Sequence, residues 1–326
     1  MVHGQIDFLD HGPISKWIGP SLRGLVLQPL KDDWCQLSIE ERLHRQLQMS
    51  ARDSQYCLGC VKNPHCNYGT IFEPDRLMID GQVQGGRRNG LVALTIGGRC
   101  DNFDNDDQRN ESLPKADFRM MAIGVKAVES IQSILEKLIK LGQVQGIAPD
   151  RLRPGTRFNV QSGPLEWSEH LLSIDELPIQ LEPTGELCSL LLEFDSPLLI
   201  KEPAGERTKH YSNSFDFPSF FSHCHRTIRR AVQEFHSPAW SRDLNFRSFF
   251  ELVSEVSIVR MDGSIEEFRR RSNRRDGQPW ELSGILGRYQ LAHVPKVFVP
   301  WIRWAGLIGI GDSRNCGMGC FRVEIL

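Results

Sequence analysis

Three groups of residues in this sequence carry side chains suited to chemistry. The first is Cys57-x2-Cys60-x5-Cys66, with Cys35 upstream of it. Two cysteines separated by two residues present two thiolates to one tetrahedral ion, and Cys66 and Cys35 complete a set of four. His65 is an alternative fourth ligand if Cys35 is a core residue. Zinc is the expected ion because four thiolates favour it, although this spacing also suits an iron–sulfur cluster. A closed four-thiolate site leaves no position for water, so the expected role is structural and no catalytic metal is expected. Cys100, Cys188, Cys224, Cys316 and Cys320 read as isolated core or loop cysteines.

The second group is the stretch Gly309-Ile-Gly311-Asp-Ser-Arg-Asn-Cys-Gly317-Met-Gly319. Glycines allow positive φ and the close approach of another backbone. Successive backbone N–H groups in such a loop are able to form an anion-binding nest. Ser313 and Arg314 add a hydroxyl and a guanidinium for phosphate. The third group is basic. His225-Arg226-x2-Arg229-Arg230 falls in a helical pattern, and Arg270, Arg271, Arg274 and Arg275 belong to a denser arginine run. Clustered arginines on a nearly neutral chain point to phosphate contacts. Tyr289, Trp280 and Trp240 are candidates for stacking on bases or for the core.

These groups must be positioned by regular elements, and the apolar periodicity suggests which. Gln5–Leu9 alternates as a strand. Gly19–Leu30 reads as a helix capped by Ser21 and ended by Pro29, and Ser38–Met49 as a second helix with a Ser38/Glu41 capping box. Residues 51–75 form a loop-rich insert. Leu91–Ile96 is strand-like, with Gly97 and Gly98 as breakers. Residues 101–109 are polar and acidic, as in a solvated loop. Phe118–Leu141 reads as a long helix with Ile123, Val128, Ile131, Ile134, Leu135, Leu138 and Ile139 in its apolar stripe, and Thr156–Val160 as a closing strand.

A second, weaker round follows. Leu187–Ile200 gives one or two strands, Phe217–Phe235 a basic helix, and Phe250–Val259 and Trp280–Leu291 further strands. Pro295–Ala305 reads as a short apolar helix and Phe321–Leu326 as a last strand. The expected fold is therefore α+β, with two tandem ferredoxin-like (β-α-β-β-α-β) domains. The first spans residues 1–165 and contains the cysteine insert near 51–75. The second spans 185–326 and contains the glycine-rich loop.

The chain has 326 residues, 40% of them apolar and 25% charged, with a formal net charge of −2. That is enough material for two cores, and any nucleic-acid site must be a local basic surface on a nearly neutral body. No basic start leads into an apolar run at the N-terminus, and the weakly polar stretch Val297–Gly311 is too short to span a bilayer. A soluble, cytoplasmic protein is expected, with no membrane partner.

The order of four features resembles a known family. They are Gly19-x2-Leu22-Arg23-Gly24; the cysteine segment running through Tyr68 into Phe72-Glu73-Pro74; Arg271-Ser-Asn-Arg274 leading to Leu282-x-Gly284-x2-Gly287; and the glycine-rich end. Together they resemble the CRISPR-associated RAMP proteins, and within them the precursor-CRISPR-RNA processing endoribonucleases that carry a cysteine insert. The resemblance implies CRISPR repeat RNA as the partner, held across tandem domains and against the glycine-rich loop. It implies metal-independent cleavage in which the RNA 2′-hydroxyl attacks the adjacent phosphate. In the family the general base is often a histidine of the first domain, and His44 and His11 are the candidates here. A related reading is a non-catalytic RAMP subunit that holds CRISPR RNA in an effector complex.

Overall fold

Val2, Ile6 and Phe8 are buried and Gln5 is exposed, so the first strand turns alternate side chains inward as its sequence dictates. The computed structural model describes residues 1–12, 14–48, 60, 62, 65–72, 77–79, 82–84, 94–100, 113–147, 155–160, 166–167, 177, 185–200, 212–236, 251–271 and 279–326. By its internal contacts the chain forms two units. One is Met1–Glu169 with Arg271–Gln278; the other is His170–Arg270 with Pro279–Leu326.

In the N-terminal unit, β1 (Val2–Phe8) leads to α1 (Gly19–Trp34), α2 (Ile39–Gln48) and the short α3 (Asn67–Phe72). After a small hairpin, β2 (Leu77–Ile79) and β3 (Gln82–Gln84), come β4 (Leu94–Cys100), β5 (Lys115–Ala122) and α4 (Val125–Val144). β6 (Phe158–Val160) and β7 (Glu166–Trp167) close the unit. The sheet runs β4-β5-β1-β6, and β7 also pairs with β1. Its pairs are antiparallel, with Gly4 opposite Phe118 and Ile6 opposite Val160. Counting only the sheet's principal strands, the order is second, third, first, fourth, which is the ferredoxin-like arrangement.

Several sequence expectations are corrected here. α1 runs past Pro29 to Trp34 and has no side-chain cap. An interior proline costs about 3 kcal/mol, and the burial of Leu22, Val26 and Leu30 against the sheet offsets it. β4 continues through Gly97 and Gly98 rather than stopping. A Cβ at Gly98 would lie 2.9 Å from the Asp117 carbonyl oxygen and 2.7 Å from Ile18, so the strand needs glycine for the approach of α1. The expected long helix begins as strand β5, and α4 starts only at Val125 after Gly124. Ile131, Ile134, Leu135 and Leu138 are buried as the stripe predicts, whereas Val128 is exposed. The insert is not wholly loop, since α3 lies within it with Tyr68, Ile71 and Phe72 buried.

In the C-terminal unit, β8 (Leu187–Leu198) is followed by α5 (Phe217–Phe235), β9 (Ser257–Arg271) and β10 (Pro279–Pro295). A 3-10 turn, Lys296–Phe298, leads into α6 (Val299–Ile308), and β11 (Phe321–Ile325) ends the chain. The sheet order β11-β8-β10-β9 repeats the ferredoxin-like arrangement. β8 is antiparallel to both its neighbours, with Phe194 opposite Gly287 on one side and Phe321 on the other. The expected strand at Phe250–Val259 is corrected: residues 251–253 are helical and the strand begins at Ser257. α5 is capped by Asp216, whose carboxylate accepts from the Ser219 amide at 2.9 Å. The apolar stretch near Val297 is a core helix, with Trp301, Ile302, Ala305 and Ile308 buried. Phe194, Phe220 and Phe321 meet in edge and tilted contacts of 5.2–6.0 Å and fix α5 to the sheet. No helix among the described residues is long and apolar enough to cross a membrane.

Candidate nucleic-acid interface

The glycine-rich loop begins where α6 ends. Gly309, at φ 78°, closes the helix through its amide to the Ala305 carbonyl at 2.8 Å. The Ile310 amide donates to the Gly319 carbonyl at 2.9 Å, so the loop closes on itself. It is seated on the end of β8, with Asp312 donating to Leu199 at 2.8 Å and Gly319 to Pro197 at 3.0 Å. Gly311, Gly317 and Gly319 have positive φ, as does Ser313 at 56°. A Cβ at Gly311 would lie 2.5 Å from the Leu199 oxygen, and one at Gly319 would run into the Ile310 oxygen. Close backbone packing thus requires glycine at these two positions.

This changes the picture of an anion nest. The amides of Ile310, Asp312, Ser313, Cys316, Gly317 and Gly319 all donate to acceptors in the protein. The loop is therefore first a latch between α6 and β8, and what it holds out is the half-buried trio Asp312, Arg314 and Asn315 around a 3-10 turn. Ser313, Gly309, Gly317 and Gly319 are buried.

On α5, Arg226 is exposed and Arg229 and Arg230 are half-buried. Arg226 and Arg230, one turn apart, share a face. His225 points the other way. It is buried against Trp301, ring centroids 4.9 Å apart. Burial, with Arg229 and Arg226 nearby, pulls its pKa down to about 3, so it adds no charge to the basic face. Arg270 and Arg271 lie in the backbone of β9, while Arg274 and Arg275 fall outside the described residues. Tyr289 is buried between Phe215 and Phe194, which makes it a core residue. Trp240 lies outside the described residues, and Trp280 is described only as part of β10.

The open face of this sheet carries residues the sequence reading passed over. The Glu193 carboxylate accepts from Arg288 at 2.8 and 3.0 Å and pairs with Arg322 at 3.1 Å, and Arg322 also reaches Asp195 at 3.2 Å. A shallow cavity of about 190 Å³ beside them is lined by Leu191, Arg260, Asp262, Arg288, Gln290 and Leu326. The described aromatic residues of β8, β10 and β11 (Phe194, Tyr289 and Phe321) are buried. These three described aromatic residues therefore offer no platform for base stacking. The alternation of charge along β8 and β11 was the available signal for this face.

In the N-terminal unit the two candidate histidines have different settings, and both are exposed. His11 sits on a clamped loop. Leu9 donates to the Arg157 carbonyl at 2.8 Å, Asp10 takes two hydrogen bonds from the Arg157 guanidinium at 2.9 Å, and Gly12 packs on the Thr156 side chain. Those bonds hold the Asp10 carboxyl below its ordinary pKa. His44 lies on α2, whose start has the expected reciprocal capping box between Ser38 and Glu41, at 2.7 and 3.1 Å. That helix also leaves Ile39, Leu43 and Leu47 exposed. Of the two, His11 is the one whose chain neighbours Leu9, Asp10 and Gly12 are held against Thr156 and Arg157.

Of the cysteines expected to bind metal, Cys60 and Cys66 are buried and Cys35 is half-buried at the end of α1; Cys57 lies outside the described residues. The Cys66 thiol donates to the Trp34 carbonyl at 3.4 Å, which brings it beside Cys35. Among the described residues no group of three ligating side chains is close enough to hold an ion.

Residues 192–321, from β8 through the glycine-rich loop to the start of β11, match the family model of the CRISPR-associated endoribonuclease Cas6. The fold is similar to that of Cas6 (TTHB231) in a product complex, with a TM-score of 0.50, 11% identity, and 99% of this chain and 100% of the other covered. A product complex of Cas6 (TTHA0078) aligns at TM-score 0.45 and 14% identity, covering 99% of this chain and 100% of that one. A RAMP protein described as binding different RNA substrates aligns at 0.45 and 8%, covering 99% and 98%. No curated protein sequence matches the chain.

Proposed function

We infer that this chain is a CRISPR-associated RAMP protein of the Cas6 kind, which binds precursor CRISPR repeat RNA, cuts it and keeps the product hairpin. The carrying observation is the match over residues 192–321, which includes the loop that latches α6 to β8. Phosphate contacts are assigned to Arg314 on that loop and to Arg226, Arg229 and Arg230 on α5. Arg270 and Arg271, and Arg274 and Arg275 of the same arginine run in the sequence, are assigned to the same role.

The reaction proposed is attack of the RNA 2′-oxygen on the neighbouring phosphorus. The P–O bond to the 5′-oxygen breaks, leaving a 2′,3′-cyclic phosphate and a free 5′-hydroxyl. A base takes the 2′-hydroxyl proton, an acid supplies one to the leaving oxygen, and cationic groups hold the phosphate charge. His11 is the first choice for the base because its loop is clamped, and His44 is the second. No metal enters these steps. CRISPR RNA effector subunits are the proposed further partners.

The test is incubation of the purified protein with its host's repeat RNA in excess EDTA, beside a version carrying 2′-deoxy at the cut site. Cleavage of the first alone, abolished by His11→Ala with binding retained, is expected. Tight binding without any cleavage would move the chain to the non-catalytic subunits that hold CRISPR RNA. Absence of both binding and cleavage would refute the assignment.

A structural zinc on Cys35, Cys57, Cys60 and Cys66 is proposed alongside. The burial of Cys60 and Cys66 and the seat of Cys66 beside Trp34 support it. About one equivalent of zinc by elemental analysis is expected, lost in Cys60→Ser; a metal-free, equally stable protein would overturn it.

A further inference from the structure

Among the described residues β9 is the outermost strand of its sheet. From Ile258 to Ile265 every residue on it is exposed. Edge strands are ordinarily blunted, because an open row of N–H and C=O groups is a template for another strand. Here the edge also shows apolar side chains: Ile258 is 37% exposed, Val259 56%, Met261 63% and Ile265 40%. Val259, Met261, Gly263 and Ile265 share one face by the period of two. It is the face turned to the core, since a Cβ at Gly263 would run into the hydroxyl of buried Tyr289. An apolar row thus continues the core layer outward to a strand that nothing described covers.

The sequence of β9 indicates what covers it. Read outward from Gly263, the strand is complementary to itself in the antiparallel sense. When two copies align on Gly263, Met261 stands opposite Ile265 of the second copy, Arg260 opposite Glu266, and Ile258 opposite Phe268. Two-fold symmetry forms each pair twice. Asp262 meets Ser264, and only Val259 opposite Glu267 is mismatched. Met261 and Ile265 of both copies would close over the paired glycines, with the Arg260–Glu266 ion pairs on the opposite face.

We propose that a second copy of this chain docks along β9, antiparallel and in register about Gly263. One strand pair makes a small interface, so the dimer is weak and concentration-dependent. The proposal is independent of the RNA reading.

Sedimentation velocity of the full chain, from about micromolar to a few hundred micromolar, tests it. A monomer–dimer equilibrium is expected, weakened about tenfold or more by Arg260→Glu and by Glu266→Arg. The double variant restores it, because each reversed residue then faces the other's reversed partner. Thermal melting of all three variants, unchanged from wild type, shows that their fold is intact. A chain that stays monomeric throughout overturns the proposal, as does a dimer indifferent to both single reversals. Repeat-RNA binding measured in parallel separates a third outcome: if Arg260→Glu abolishes RNA binding and leaves self-association unaltered, β9 is an RNA surface and the proposal fails.

Discussion

Gly311 and Gly319 sit where the loop backbone presses on Leu199 and on Ile310, with positive φ at both. Replacing either by alanine adds a clash to a strained conformation. A loss of about 1–3 kcal/mol is expected for each, measured by chemical denaturation, whereas Gly24, with nothing within 4 Å of its Cβ position, tolerates alanine. His225 gives a prediction with a sign. Its pKa falls from the ordinary 6.5 to about 3 in the folded chain, so the unfolded chain binds more protons between those values. Its contribution to stability is complete above pH 6.5 and is lost as pH falls toward 3, at up to about 1.4 kcal/mol per pH unit. His225→Gln flattens that part of the stability–pH profile; an unchanged slope would show that burial of the imidazole is not its source.

At the scale of elements, α1 is tied to β4 and α3 by a buried charged side chain. Arg23 is buried, donates to the Leu94 carbonyl at 3.3 Å and the Phe72 carbonyl at 3.1 Å, and lies over the Phe72 ring at 5.4 Å. It joins α1, β4 and α3, which a leucine of similar size does not do. Arg23→Leu leaves two acceptors without this donor and is expected to cost about 2–5 kcal/mol, read as a fall in denaturation midpoint. The early Gly-x2-Leu-Arg-Gly pattern is thereby explained in part as architecture. α4 shows the converse, a glycine inside a helix: a Cβ at Gly142 would strike the Phe158 ring, so the helix gives up propensity to let β6 pack beneath it.

For the whole molecule the net charge of −2 means that the proposed RNA affinity has to come from a few local cations. Binding of the repeat is expected to weaken steeply with salt, and Arg226→Ala to reduce the slope of log K against log salt by about one. A slope that this substitution leaves unchanged would remove α5 from the interface. The sequence by itself determined the alternation of strands and helices in two successive rounds, the extent of α5, the capping box of α2 and the place of the glycine-rich loop. Those depend on periodicity and local hydrogen bonding, which neighbouring residues supply. It could not separate β5 from α4, because an alternating strand followed at once by an apolar stripe reads as one helix until the pairing with β1 is known. It also could not tell that His225 faces Trp301, that the loop amides are engaged with β8, or that Asp10 and Arg157 clamp the loop of His11. Each of these is set by residues far apart in the chain, and only the tertiary structure, by bringing them within hydrogen-bonding or packing distance, decided which groups stay available for chemistry.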